Sequence, residues 1–348
     1  MSVVRSIGRV FSGTANIDFE AKWKKSLAVS LALVLVSVIL VSTRGLNLSI
    51  DFEGGTIWRV PAESSLSVAD VRAAAPELDT ARIQEVGGSG GGVDEFNVQV
   101  STDVTNLGEI REALAEVAGI DGDLIGQDSI GPTWGNEITN SAIRALVFFG
   151  IVVAGYLAWT LEAKMALAAL SAVIHDLIIT AGVYSLTGLE VSPSTVIALL
   201  TILGYSLYDT VVVFDKIKEN ESSPLVSFDE YGKLVSHSMN QVVARSINTT
   251  ITTVLPVASM LVVGSLVLRA TSLAGFSLAL FIGLILGTYS SIFFASPILV
   301  WLRKVLPSEK AQDEVERKRA ERRKATRKSS SQGGVGMIAP KGRKTKGR

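Results

Sequence analysis

Asp209 lies within the apolar run Thr195–Phe214, TVIALLTILGYSLYDTVVVF, which is long enough to cross a bilayer. A carboxylate at that depth costs roughly 2.5–3.5 kcal/mol on insertion scales, so it is by default a functional residue with a partner to be named. Arg245 opens the run ARSINTTITT, and its long side chain can reach toward the depth of Asp209. Pairing with Arg245 would keep the carboxylate charged, and a change of partner would let it take a proton. Tyr205 stands one turn before Asp209 on the same face, with Ser206 nearby. One apolar run earlier, His175 and Asp176 form a second polar pair at membrane depth. Asn248, Thr249, Thr250, Thr252 and Thr253 form a polar cluster able to support a water wire.

Each group also has a plain structural reading. Hydroxyls on membrane helices bond their own backbone, His175 can join two helices, Arg245 can snorkel to the headgroups, and Asp209 can sit in a fixed ion pair. Two carboxylates at this depth also admit an intramembrane aspartyl protease, with Tyr208-Asp209 as half of its site. That chemistry needs a Gly-x-Gly-Asp motif, which the chain lacks. There is no cysteine, and His175 and His237 are the only histidines, so the expectation is no metal site and no redox chemistry. No Gly-x-x-x-x-Gly-Lys phosphate loop occurs, and the Gly-rich run 87–92 precedes a strand, which makes it a hairpin turn. The chain is expected to be no enzyme and to need no cofactor. A proton or sodium gradient is the natural energy source.

The elements that must position these residues follow from hydropathy. Hydrophobic residues make up 48% of the 348, with mean hydropathy +0.39, which reads as a polytopic helical membrane protein. The spacing predicts six spans, over 26–43, 138–160, 165–187, 195–215, 242–264 and 273–302. Residues 1–25 are a polar N-terminus, 44–137 an external domain, 216–241 a cytoplasmic loop and 303–348 a basic, disordered tail. Segment 45–137 carries 17 acidic and 4 basic residues, and 303–348 carries 16 basic and 5 acidic. That asymmetry, with Arg5, Arg9, Lys22, Lys24 and Lys25 before the first span, puts both termini in the cytoplasm and the acidic domain outside. The first span has no A-x-A-like cleavage site and reads as a retained anchor. In the external domain TIWRV, ARIQEV, EFNVQV and DLIGQDSI read as strands and SVADVRAAA as a helix. NLGEIREALAEVAG reads as an amphipathic helix burying Ile110, Leu114 and Val117. The order β-α-β-β-α-β is the ferredoxin-like arrangement. The tail segment Asp313–Lys328 reads as a surface helix and positive-inside signal, with contact to anionic lipid or RNA as its functional reading.

Several segments together carry a family resemblance: IDFEGGTIW, IGPTWGNEI, HDLIITAGVYSLTGLEVS, TILGYSLYDTVVVFDKIKEN and SINTTITTVLP. Over about residues 15–305 the chain resembles the SecD/SecF family of protein-export membrane proteins, within the resistance-nodulation-division superfamily. The resemblance implies half of a twelve-span bundle, completed by a SecD partner, and association with the Sec translocon channel. It implies gradient-driven help to a translocating polypeptide across the bacterial cytoplasmic membrane. It places Asp209 and Arg245 on the family's proton-pathway positions, His175 and Asp176 on its third-span motif, and Asp51, Gly54 and Gly55 on its external motif. Tyr208 stands where members often carry Asn, and the basic tail extends beyond the common core. The partners expected are thus SecD, the channel, the polypeptide and membrane lipids, with no specific nucleic acid. Two rival functions remain: an exporter of lipids or small molecules in the same superfamily, and a scaffold that only stabilises the translocon.

Overall fold

The computed structural model describes residues 17–62, 66–87, 93–222, 231–267 and 271–306. The Gly-rich turn at 88–92, the N-terminal residues 1–16, residues 223–230 of the expected cytoplasmic loop, and the basic tail from 307 lie outside them. The chain divides into a unit of residues 1–300 and a C-terminal unit whose described part, 301–306, is the end of the last helix.

In chain order, helix α1 spans Glu20–Arg44. Strand β1 (Asn47–Leu48) and a one-turn helix α2 (Ile50–Glu53) lead into β2 (Gly55–Pro61). Helix α3 (Val68–Ala73), β3 (Arg82–Gly87), β4 (Val93–Val100), α4 (Leu107–Ala118) and β5 (Gly126–Ile130) follow. The long helices are α5 (Pro132–Thr160), α6 (Ala163–Thr187), α7 (Pro193–Ser222), which follows strand β6 (Glu190–Val191), and α8 (Tyr231–Val262). A π turn, Val263–Val267, ends α8. The last span is α9 (Thr271–Ser290), a π turn (Ser291–Ala295) and α10 (Ser296–Val305). Among the described residues six helices are long and apolar enough to cross a membrane.

The helices outrun the apolar runs that announce them. The fourth runs to Ser222 rather than 215, because its polar end still satisfies helical geometry. Lys216 pairs with Glu219 at i,i+3, and the buried Asn220 amide donates to Ser238 Oγ and Gln241 Oε1, both at 2.9 Å, tying α7 to α8. The fourth helix starts where Ser192 and Thr195 exchange side chain–backbone bonds just before Pro193.

The α+β domain has a four-stranded sheet of spatial order β3-β4-β2-β5, with every neighbouring pair antiparallel. Along β2, Trp58 and Val60 are fully buried while Arg59 and Pro61 face outward, the period of two that one packed face demands. Trp58 pairs with Val98 and Val60 with Phe96 across the sheet. Val71, Leu78, Ile110 and Leu114 close the core. Val117, expected on the buried face of α4, is 38% exposed, and the packed stripe turns instead through Ala115. Ser67 caps α3 through a reciprocal bond with Asp70, which holds the Asp70 carboxyl below its usual range.

Close helix contact in the bundle rests on small residues. A Cβ on Gly182 of α6 would come within 2.7 Å of Ser37 Cα on α1. One on Gly287 of α9 would sit 3.0 Å from Ser206 Cβ on α7, and one on Gly283 would collide with the Ile202 side chain. The domain joins the bundle through similar close approaches. Gly54 (φ +74°) and Gly55 (φ +129°) turn the chain from α2 into β2, and a Cβ on Gly55 would run into the Val100 carbonyl. Gly135, near the start of α5, seats beneath this corner, where its Cβ would lie 2.8 Å from the Phe52 carbonyl oxygen.

The glycine joint therefore makes a specific demand. Gly55→Ala should sharply lower the thermal unfolding midpoint of the α+β domain. Gly108→Ala, in open space on helix α4, should leave it unchanged or raise it by the equivalent of about 1 kcal/mol. Circular dichroism melts of the two variants check this directly.

Candidate functional site

The most deeply committed polar group in the bundle is Asp176 on α6, 1% exposed. Its Oδ2 accepts from Ser206 Oγ of α7 at 2.6 Å and from Ser290 Oγ of α9 at 2.7 Å. Its Oδ1 lies 3.0 Å from His175 Nδ1. Three spans thus meet on one carboxylate. The wide turn that begins at Ser291 helps to present consecutive serines inward. Ser290 reaches Asp176, while Ser291 Oγ lies 2.8 Å from Thr210 Oγ1 and donates to the Ser206 carbonyl at 3.3 Å. The His175 ring stacks on Phe294, centroids 4.3 Å apart, and its buried Nε2 has no hydrogen-bond partner.

Asp209 is held differently. Its Oδ1 accepts from Ser246 Oγ of α8 at 2.7 Å, and its buried Oδ2 has no hydrogen-bond partner. The expected pairing with Arg245 is not formed: among the described residues no ion pair joins them, and Arg245 Nη2 donates to the Tyr208 hydroxyl at 3.0 Å. Successive residues of a helix point about 100° apart, so with Ser246 turned toward Asp209, Arg245 lies on the exposed face of α8. Beside Asp209 is a cavity of about 30 Å³, room for about one or two waters. Tyr205, Ser206, Thr249, Thr250, Thr253 and Thr288 contribute to its walls. Ser206 therefore touches both Asp176 and the space next to Asp209. The threonine cluster divides: Thr249, Thr250 and Thr253 face the cavity, whereas Thr252 and Asn248 are exposed, and Thr252 donates to its own helix backbone.

The motif residues Asp51, Gly54 and Gly55 belong to a separate place, the joint between the α+β domain and the ends of the spans. Asp51 accepts from Ser49 Oγ at 3.0 Å. Strands β1 and β6 pair in parallel, Asn47 opposite Glu190, and Arg82 donates to the Leu48 carbonyl at 3.1 Å. Burial pushes the Glu190 carboxyl up, neighbouring Asp51 adds to the rise, and Arg82 opposes it. No group of three or more metal-ligating side chains occurs among the described residues.

Sequence reasoning named Asp209, Tyr205, His175 and Asp176 but passed over Ser246, Ser290, Ser291, Thr210 and Thr288. A signal was present: TYSSIFFASP sets four hydroxyl groups and a tyrosine inside an apolar span.

The family model for the protein export membrane protein SecD/SecF, C-terminal, matches residues 109–305, and that for the SecD/SecF GG motif matches residues 39–65. Protein translocase subunit SecF of Streptomyces coelicolor is 40% identical over 316 residues, 89% of this chain and 83% of the relative. The SecF subunit of Mycobacterium tuberculosis is 38% identical, covering 86% of this chain and 70% of its own. The crystal structure of SecDF from Thermus thermophilus, described as a translocon-associated membrane protein, superposes with a TM-score of 0.71 at 33% identity. It covers 84% of this chain, which spans only 39% of that longer one. The matched segments hold both the glycine joint and the polar centre of the bundle, and the chain belongs to the SecD/SecF family of protein-export membrane proteins.

Proposed function

We propose that the chain is the SecF-type half of a gradient-driven accessory to the Sec translocon, completed by a SecD partner. It carries no catalytic site of its own. In this reading it is a multi-pass protein of the bacterial cytoplasmic membrane with both termini in the cytoplasm, and its α+β domain stands outside. The observation that carries the proposal is the contrast between the two carboxylates. Asp176 is saturated with hydroxyl donors, whereas Asp209 leaves one buried oxygen unpartnered beside a cavity of water size. A group so held can exchange a proton or sodium ion at low reorganisation cost, while Asp176 keeps the helices in register.

The surface around Asp209 supports a two-part machine. Tyr205 and Tyr208 are 46% and 51% exposed, and Arg245 is exposed beside them. Polar and ionisable side chains at membrane depth face a bundle interior rather than lipid. A second six-span half would cover this face, and its arrival would offer Arg245 and Asp209 new partners. The fused SecDF relative, in which one chain carries both names, agrees with that arrangement. Movement of the glycine-jointed domain would then hold or pull an emerging polypeptide. A small-molecule exporter of the same superfamily would need a larger outer domain with its own apolar pocket, and here the core of the α+β domain is filled by Trp58, Phe96 and Leu114. In the same reading the basic sequence 303–348 would contact anionic lipid.

Two outcomes are expected. In inverted vesicles carrying the chain and its partner, Asp209→Asn should remove the gradient-dependent part of precursor translocation while the complex still assembles. Unchanged translocation would favour the scaffold. Separately, Ser206→Ala and Ser290→Ala should each cost about 1–3 kcal/mol in bundle stability by unfolding in detergent, because each strips a donor from buried Asp176. Ser259→Ala, exposed and bonded only to its own helix, is the control and should stay near wild type.

A further inference from the structure

We propose that residues 17–20 form a strap that fixes the rotation of α8, and that Phe19, Ser236 and Asn240 are thereby positioning residues for Ser246, the donor to Asp209. The inference deepens the translocation reading and rests on it for the importance of Asp209. The strap runs into the first turn of α1, at the end of the bundle that the proposed topology assigns to the cytoplasm.

The Asn240 side chain grips one strap residue as a paired β-strand would. Ile17 N–H donates to Asn240 Oδ1 at 2.7 Å, and Asn240 Nδ2 donates to the Ile17 carbonyl at 2.8 Å. One turn earlier on α8, Ser236 Oγ accepts from Phe19 N–H at 3.2 Å. Another turn back, Gly232 leaves room for the Glu20 carboxyl, which a Cβ there would strike. Positions 232, 236 and 240 recur every four residues, so they form one stripe of the helix, and the strap lies along it. Phe19 is 1% exposed, with its ring centroid 6.0 Å from that of Phe293 in the π turn of the last span. Holding α1 in place does not by itself call for α8. Tyr289 of the last span already meets Ser30 Oγ at 3.1 Å and donates to the Ser26 carbonyl at 3.3 Å.

The strap and α7 grip α8 from different sides. Asn220 of α7 donates to Ser238 and Gln241, and Ser238 stands two residues from Asn240, about 200° around the helix. Every buried residue of α8 lies between Gly232 and Ser246, so this gripped segment sets the rotation of the helix. Ser246 follows Asn240 by six residues, about 9 Å along the axis. Its bond is the only one to the Asp209 carboxylate among the described residues, since Oδ2 has no partner. A roll of α8 would break that bond, and a grip on two sides prevents the roll.

The test uses the full chain assembled with its partner in nanodiscs, with two readouts. Amide hydrogen exchange over residues 231–246 reads the grip on α8. Infrared difference spectroscopy reads the protonated-carboxyl band that Asp209→Asn removes, and losing a donor to that carboxyl raises its stretching frequency. In Asn240→Ala and Phe19→Ala, exchange should quicken about tenfold as the strap contacts are lost. The band should move to higher frequency, as it does in Ser246→Ala. Phe19→Leu keeps an apolar plug and should show the wild-type band. Ser222→Ala, exposed and bonded only to its own helix, should change neither readout. Asn240→Ala removes side-chain bonds alone, and it carries the test if Phe19→Ala does not assemble. Faster exchange with an unmoved band would make the strap a plain anchor and overturn the proposal, as would unchanged exchange. If Asp209→Asn leaves the band in place, the gradient reading fails and the positioning role fails with it. The exchange data would then still decide whether the strap holds α8, so the two failures are separate results.

Discussion

A carboxylate inside an apolar bundle must be given hydrogen bonds, and at Asp176 those bonds come from two other spans. The rest of the membrane half is arranged to allow this. Gly283 and Gly287 bring α9 close enough to α7 for Ser206 and Ser290 to converge on one oxygen. The π turn after Ser290 keeps Ser291 within reach of Thr210. Remove the carboxylate and these hydroxyls lose their shared acceptor; remove the glycines and they cannot reach it. The third, fourth and sixth spans are therefore fixed at one level by a single polar contact set.

Against that fixed point Asp209 is under-bonded. It has one donor, Ser246, and faces a small cavity it shares with Ser206. In the proposed exchange, a change at Asp209 would act on helices α7 and α8, which its bond from Ser246 joins. At the other end of the bundle, the Gly54–Gly55 corner and the β1–β6 pairing link the α+β domain to the ends of α1, α5 and α6. Short covalent and hydrogen-bonded links therefore join the bundle to the domain.

Much of this was legible in residue order. The six apolar runs, the strand and helix order of the domain, and the lone carboxylates Asp176 and Asp209 are local signals that survive folding. What was not legible depends on helix rotation and on termini. Whether Arg245 or Ser246 faces Asp209 is a matter of about 100° around α8, which only packing decides. The segment TYSSIFFASP marks hydroxyls inside an apolar span, but which of them meet Asp176 and Thr210 is set by packing and by the π turn at Ser291. Helix α7 runs beyond its apolar run because Asn220 finds partners on α8, a contact between distant segments. Spacing alone puts Val117 in the core, but the buried stripe of this short helix is narrow enough for Ala115 to replace it.

In the proposed mechanism Asp209 exchanges its partner while Asp176 keeps its two serine donors. Infrared difference spectroscopy of the carboxyl stretch, recorded on the assembled pair as the pH is stepped down, tests it most directly. A protonated-carboxyl band should appear in wild type, vanish in Asp209→Asn, and persist in Glu190→Gln. A band that survives unchanged in Asp209→Asn would place the exchange at another residue and contradict the account.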